Sequence, residues 1–260
     1  MNMEHASVTK EKTYGAPKLK IPIPIAGLNC PGCGHSLFVK ALCEVLEEMK
    51  IDGKVACSVP VGCSTLALTL CNFDTLNAAH GAGPAIATGV KRVHGDNLVV
   101  LSVQGDGDCA AIGGGYLINA AARSEKISVF LLNNGNFGTT GGQLAPTTIV
   151  GQVTSTTPKG RDPAVHGYPL NTAEMLSAIK GVAYSARGAL TSPANYRQVK
   201  GYIKIALQKQ IDNIGFSFVE ILVACPPNWH LTPVESMKWM EEKMVPVFPL
   251  GEFKNVDMIE

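Results

Sequence analysis

The residues best equipped for chemistry sit in a glycine turn. An apolar run, Leu101-Ser102-Val103, gives way through Gln104 to Gly105-Asp106-Gly107-Asp108, and through Ala110 the pattern is G-x-G-x-x-A. That pattern suits a dinucleotide-binding turn, provided a strand precedes it and a helix follows. Two features oppose this reading. A dinucleotide site takes the ribose hydroxyls with an acidic residue about 20 positions further on, whereas the next apolar run ends in Asn133-Asn134. Carboxylates at 106 and 108 would also repel a pyrophosphate unless a cation between them reversed the local sign. A divalent metal meets the second objection. Mg²⁺ takes six oxygens and usually joins one or two protein oxygens to phosphates, so Asp106 and Asn134 become candidate ligands that share one ion with a diphosphate.

Thiols form the second constellation. The chain carries eight cysteines, two of them in Cys30-Pro31-Gly32-Cys33. In a small exported domain they would suggest disulfides; in 260 residues without an export signal they point to metal ligands. Four thiolates are the usual complement of a [4Fe–4S] cluster, and tetrahedral zinc is the structural alternative for the same Cys-x-x-Cys spacing. Cys43, Cys57 and Cys71 read most simply as core residues, and Cys109 as a buried thiol packing the glycine loop.

These groups need a scaffold. With 46% hydrophobic and 17% charged residues, the chain has the composition of a sizeable domain with a full core. A net charge of +1 without a basic, aromatic-laced stripe argues against nucleic acid. No apolar run spans a bilayer and the first residues are polar, so the expectation is a cytoplasmic protein with no membrane partner. Residues 1–29 read as an extended arm, with alternating prolines near 20–26, and 30–260 as one domain with a C-terminal tail. Helical spacing begins at Ser36 with Phe38, Leu42, Val45, Leu46 and Met49. A small-residue helix leads into the strand of residues 97–103; a helix over about 110–123 leads into the strand of 127–133. This alternation predicts an α/β fold, a mostly parallel sheet with helices on both faces. A right-handed crossover then brings Asp106 and Asn134 to the same sheet edge. Residues 151–169 read as a long loop, 172–179 and 195–210 as helices, and 216–224 as a strand. Thr232, Pro233 and Glu235 form the start of a capped helix.

Gly105-Asp106-Gly107 followed by Asn133-Asn134 resembles the diphosphate-binding signature of thiamine-diphosphate enzymes, and the resemblance implies that Asp106, Asn134 and the backbone carbonyl of Asn136 hold Mg²⁺. Together with "CPGCGH" at 30–35, "VGCS" at 61–64, "TTGGQLAPTT" at 139–148 and "CPPNW" at 225–229, the chain from about Asn29 to its C-terminal helix resembles the thiamine-diphosphate and iron–sulfur subunit of 2-oxoacid:ferredoxin oxidoreductases. The resemblance assigns the [4Fe–4S] cluster to Cys30, Cys33, Cys63 and Cys225. It places Gly34, Ser64, Gly105, Gly107, Asp108, Thr140, Gly141 and Gln143 against the cofactor, and gives His35 and Ser64 a part in catalysis. His80 carries a weaker expectation of a direct role.

The implied reaction is oxidative decarboxylation of a 2-oxoacid to acyl-CoA and CO₂, with coenzyme A as acyl acceptor and ferredoxin as electron acceptor. Family members often carry a basic residue shortly after the "GCS" cysteine and an arginine after the "HG" pair, where this chain has Thr65-Leu66 and Ala82. A less cationic pocket favours a branched or aromatic substrate over 2-oxoglutarate. The runs "GRDPAVHGYPL" and "CPPNWHLTPVESMKWMEEKM" look closest to the branched-chain, 2-oxoisovalerate members. The chain shows one diphosphate-type domain. The resemblance therefore implies a larger subunit with a pyrimidine-binding domain and its activating glutamate, joined by a gamma-type and a ferredoxin-like subunit, with the 20–26 arm and the 151–169 loop as contacts. Three alternatives stay open: NAD as final acceptor through a flavin subunit, a nonoxidative thiamine enzyme such as a decarboxylase, and a zinc-stabilised non-catalytic subunit.

Overall fold

The computed structural model of the chain describes residues 29–68 and 71–259. The arm expected over residues 1–29, with its proline run at 20–26, lies outside the described residues except for Asn29.

Among the described residues seven strands form one sheet: β1 (Val55–Pro60), β2 (Asp74–Ala78), β3 (Val99–Gly105), β4 (Ser128–Asn133), β7 (Val182–Ala189), β8 (Phe216–Leu222) and β9 (Gly251–Asn255). The short hairpin of β5 (Asn136–Phe137) and β6 (Gln143–Leu144) stands apart. The spatial order is β2-β1-β3-β4-β8-β7-β9, parallel throughout except for β9, which runs antiparallel to β7. Parallel neighbours require crossovers, and helices supply them on both faces. In chain order the helices of the described residues are α1 (Gly34–Glu48), α2 (Cys63–Leu68), α3 (Gly83–His94), α4 (Gly114–Ala122), α5 (Pro163–His166), α6 (Thr172–Ser177), α7 (Pro193–Ile211), α8 (Pro226–Trp229) and α9 (Pro233–Trp239). The α/β architecture expected from the sequence is borne out. No helix among the described residues is long and apolar enough to cross a membrane.

The strands are buried on both sides because each face has its own core. Leu101 and Val103 of β3, with Phe130 and Leu132 of β4, pack against Phe38, Leu42 and Val45 of α1 and Ile203 and Leu207 of α7. The intervening residues Val100, Val129 and Leu131 face Ala87 of α3, Leu117 of α4 and Leu176 of α6. Burying each large apolar side chain here is worth about 1.5–3 kcal/mol. A third cluster under the C-terminal segment joins Ile149 and Leu222 to Met240, Met244 and Phe248.

Side-chain caps open some of the helices. Ser192 caps α7 by accepting from Asn195 N, and the Thr232–Glu235 capping box opens α9. One expected element differs. The helix anticipated over 110–123 begins as a wide π-turn over Gly107–Ile112 before α4. Gly113 N donates to Asp108 O at 2.8 Å, and a Cβ on Gly113 would meet Gly81 O at 2.7 Å, so the chain widens where it presses on the 80–82 turn. Such single π-turns are rare inside α-helices and gather at functional sites.

Candidate functional site at the carboxyl edge of the sheet

Four adjacent parallel strands end at one edge, and each delivers a predicted site residue just beyond its last pair. β1 leads to Cys63, β3 to Asp106, β4 to Asn134 and β8 to Cys225. The registers place Gly105 beside Leu132 and Asn133 beside Leu222, so these exits lie level. The start of α1 closes over them. Gly34 N donates to Ala224 O at 3.1 Å, and a Cβ on Gly34 would meet Val223 Cβ at 2.6 Å. That close approach brings Cys33 and His35 to the edge where Cys225 emerges.

The oxygens expected to hold a cation converge. The amide end of Asn134 lies 2.7 Å from the Asn136 carbonyl oxygen and 3.2 Å from Asp106 Oδ1. With the amide nitrogen turned toward them, it would donate to both. With the amide oxygen there, three oxygens face one another at the spacing of neighbouring octahedral ligands, about 2.9 Å for a metal–oxygen distance of 2.0–2.1 Å. The donor set therefore fits Mg²⁺. Burial pushes the Asp106 carboxyl up to about 7, against the pull of hydrogen bonds from Thr147 and the Gly107 backbone. Gly107 N donates to Oδ1 at 2.9 Å and Thr147 Oγ1 to Oδ2 at 2.5 Å. Asp106 is 1% exposed with no basic side chain bonded to it among the described residues, a position that a bound divalent ion would neutralise.

A small-residue cradle lies alongside. A Cβ on Gly107 would strike the Phe137 ring at 2.4 Å, so glycine alone fits between the turn and the β5–β6 hairpin. Gly141 and Gly142 have φ of +114° and +75°, and Gly142 N donates to Phe137 O. Thr140 and Gln143 pair with each other: Thr140 Oγ1 donates to Gln143 Oε1 at 2.7 Å and Gln143 Nε2 to Thr140 O at 2.9 Å. Gly105 has open space where a Cβ would stand. Asp108 is spent inside the protein. Its Oδ1 accepts from His80 Nδ1 and Gly81 N, both at 2.7 Å, and its Oδ2 from Gln104 Nε2 at 2.5 Å. It ties the 80–82 turn to the glycine loop, with His80 as one tether.

Of the four cysteines assigned to a cluster, Cys33 lies within electrostatic reach of the other three. Burial pushes the Cys33 thiol up to about 12, and Cys225, Cys63 and Cys30 each add to the rise. Burial likewise takes Cys225 to about 11, with Cys63 contributing. Among the described residues no three His, Cys, Asp or Glu side chains converge tightly enough to hold a single ion. His35, 2% exposed, stands 3.4 Å from Cys33 Sγ through Nδ1, and burial lowers it to about 4, so its ring is neutral. Ser64 is buried beside Cys63 with no hydrogen-bond partner for its hydroxyl among the described residues. Cys43, Cys57, Cys71 and Cys109 are buried core thiols, as expected.

Several contributors escape the sequence reading. Thr139 meets Cys63 Sγ at 3.0 Å, and Thr147 braces Asp106. Asn228 of α8 donates to Gly138 O at 2.9 Å and Asn136 Oδ1 at 3.2 Å, and lies 3.4 Å from Cys225 Sγ. Trp229 Nε1 donates to Asn134 O at 3.1 Å. The α8 turn therefore touches both the cation loop and the thiol group. The "APTT" and "CPPNW" runs were the available signals, but neither reveals which member reaches across the fold.

An open, mostly parallel sheet whose strand ends gather three oxygens beside a glycine cradle is the architecture of a domain that binds its ligand at the carboxyl edge. The chain belongs to the thiamine pyrophosphate enzyme family: the family's C-terminal TPP binding domain matches residues 60–221. It is 40% identical over 232 residues to the ketoisovalerate oxidoreductase subunit VorA of Methanothermobacter thermautotrophicus, covering 89% of this chain and 48% of that relative. It is 35% identical over 219 residues to the 2-oxoglutarate synthase subunit KorB of the same organism, covering 82% and 72%. The chain thus spans about half the length of the VorA relative and most of the KorB one. Among solved structures it resembles a 2-oxoglutarate:ferredoxin oxidoreductase from Magnetococcus marinus, with a TM-score of 0.74 at 24% identity over 92% of this chain and 84% of that one, a likeness of fold. The family resemblance read from the motifs is borne out, and of the two sequence relatives the ketoisovalerate one is the more similar.

Proposed function

We propose that the chain is the subunit of a 2-oxoacid:ferredoxin oxidoreductase that holds thiamine diphosphate through Mg²⁺ and carries a [4Fe–4S] cluster. The observation that carries this reading is the convergence of the Asp106, Asn134 and Asn136 oxygens at the strand edge beside Cys225, whose Sγ lies 3.9 Å from Asn136 Oδ1. Zinc, bound at about 2.3 Å, would draw its four sulfurs into tight contact. A cubane spaces them more widely. The cluster is favoured over the zinc-stabilised alternative because a cofactor that gives up electrons one at a time needs a nearby acceptor, which zinc, having no redox chemistry, does not supply.

When bound, thiamine diphosphate supplies the electron-accepting ring on which a 2-oxoacid loses CO₂. The residues of this chain bind and orient it. Asp106, Asn134 and the Asn136 carbonyl would hold the ion, and Gly107, Gly141 and Gly142 let backbone approach the diphosphate, with Gly105, Thr140 and Gln143 flanking it. Asp108 shapes the loop from behind. Ser64 has a free hydroxyl to offer a ligand, and neutral His35 steadies Cys33. Cys30, Cys33, Cys63 and Cys225 would hold the cluster, whose iron supplies one-electron transfer toward ferredoxin, with coenzyme A receiving the acyl group.

Leu66 and Ala82, where basic residues would serve a second carboxylate, support a branched-chain 2-oxoacid of the 2-oxoisovalerate type, as does the VorA relative. The KorB relative supports 2-oxoglutarate as the second reading. The chain is proposed to act in the cytoplasm with a larger subunit bearing the pyrimidine-binding domain and its glutamate, and with gamma-type and ferredoxin-like subunits. In the 151–169 loop Val153, Val165 and Tyr168 are 61%, 75% and 77% exposed, an apolar surface suited to such a contact. Anaerobic purification with assays for iron, sulfide, zinc and thiamine tests the reading. About four iron and four sulfide per chain are expected, with thiamine diphosphate retained when the partner subunits are present; stoichiometric zinc without iron would falsify it.

A further inference from the structure

We propose that Glu220 is a positioning residue for the cation site: through Asn133 it sets the turn that presents Asn134 and the Asn136 carbonyl, although it touches neither metal ligand. The inference rests on the reading that those oxygens hold Mg²⁺.

Glu220 lies in the middle of the sheet on β8 and is fully buried. Its Oε1 accepts from Asn133 Nδ2 at 2.7 Å, and the other end of that amide, Oδ1, accepts from Gly135 N at 3.0 Å. Gly135 is the residue between the two metal-holding asparagines. It has φ of +66°, and its carbonyl accepts from Thr148 Oγ1 at 2.6 Å. An amide has a donor end and an acceptor end. Turned over, Asn133 would face an oxygen to a carboxylate and an N–H to an N–H. The buried carboxylate therefore selects the orientation that pulls Gly135 N inward and shapes the turn. Glu220 is held in turn by Arg187, whose Nε donates to Oε2 at 2.9 Å. Arg187 is itself fully buried, bonded to Glu174 and to Pro249 O, with its guanidinium 5.3 Å and 5.1 Å from the ring centroids of Phe248 and Phe253. This anchoring makes Glu220 a fixed reference point from which the loop is hung.

A paired reversal tests the idea. In the double variant Asn133→Asp/Glu220→Gln, the glutamine amide donates to the aspartate, the aspartate still accepts from Gly135 N, and the glutamine oxygen still accepts from Arg187. The bonds are kept with one donor reversed, and the formal charge is unchanged. The measurement is Mn²⁺ binding, by electron paramagnetic resonance, to the assembled enzyme saturated with thiamine diphosphate, with iron content followed in parallel. Each single variant is expected to weaken Mn²⁺ binding at least tenfold with iron per chain unchanged, and the double variant to return within threefold of wild type. A single variant that binds Mn²⁺ as wild type does, a double variant no better than the singles, or a parallel fall of iron and Mn²⁺ overturns the proposal. Where Glu220→Gln fails to accumulate, Glu220→Asp, which keeps the charge and withdraws the carboxylate from Asn133, carries the same expectation. Wild-type enzyme that binds no Mn²⁺ with thiamine diphosphate would instead refute the underlying cation reading.

Discussion

On the proposed reading, Asp106 shows how one side chain is prepared for an ion. Burial raises its carboxyl to about 7, while Thr147 and Gly107 aim their hydrogens at its oxygens and keep them in place. Outer-shell partners of metal ligands are commonly worth about 10–100-fold in affinity; a direct ligand is worth more. Asp106→Ala is expected to lower thiamine diphosphate retention more than about 100-fold while leaving iron content intact, because the thiols are held by α1, α2 and α8 independently of that carboxylate. Unchanged diphosphate affinity would contradict the bridging cation. Asp106 and Asn134 were legible in the sequence because a carboxylate in a glycine turn is anomalous without an ion. Thr147 was not, since a threonine in a loop carries no mark of the partner 41 positions away that it serves.

At the scale of elements, the loop after the β5–β6 hairpin is organised by one cation. Arg161 is 5% exposed and donates to the carbonyls of Gly167, Ala145, Pro146, Thr148, His166 and Tyr168. It thereby fixes the 145–148 segment that carries both Thr147 and Thr148. Arg161→Met removes these bonds; Ala145 O and Pro146 O keep Thr148 N and Leu170 N as donors, and each of the others that finds no water costs about 1–3 kcal/mol. Limited proteolysis is expected to cut the 151–169 region at least about tenfold faster, with the sheet retained by circular dichroism and cofactor affinity reduced. The strands β3, β4 and β8 were readable because apolar runs signal burial on both faces. The strands β1, β2, β7 and β9 were not. β1 mixes Cys57, Ser58 and Pro60, β2 is a partly exposed strand of the sheet edge, β9 carries Glu252 and Lys254, and β7 contains the buried Arg187, whose charge disguises a core strand. The π-turn over 107–112 was also hidden, because the contact that widens it comes from Gly81 in a distant turn.

At the scale of the molecule, acid stability should report a junction far from the candidate site. Glu125, just before β4, accepts from Arg92 at 2.6 Å and 3.2 Å and from Arg123 at 2.9 Å. Burial alone would raise its carboxyl, but the two guanidinium groups outweigh it and hold Glu125 below the usual carboxylate range. A carboxyl lowered by folding stabilises the protein above its unfolded value, and that contribution is lost as pH falls through the folded value. Glu125→Gln is therefore expected to cost about 1 kcal/mol at pH 7, with both arginines exposed to solvent screening, and progressively less as the pH is taken below the usual carboxylate range. Denaturant titrations at pH 7 and at a series of lower pH values check this, and a cost that does not change with pH would remove the charge from the explanation.

The hydrogen bond from Gly34 N to Ala224 O has a consequence for the order of events during synthesis. It joins the beginning of the described chain to nearly its last strand, and Cys33 lies beside Cys225 only after β8 has docked on β4. A polypeptide emerging N-terminus first carries Cys30, Cys33 and Cys63 long before their fourth companion is made. On the proposed reading, iron–sulfur insertion waits for the completed sheet, so maturation becomes a checkpoint: a chain that has taken up its inorganic core has already folded.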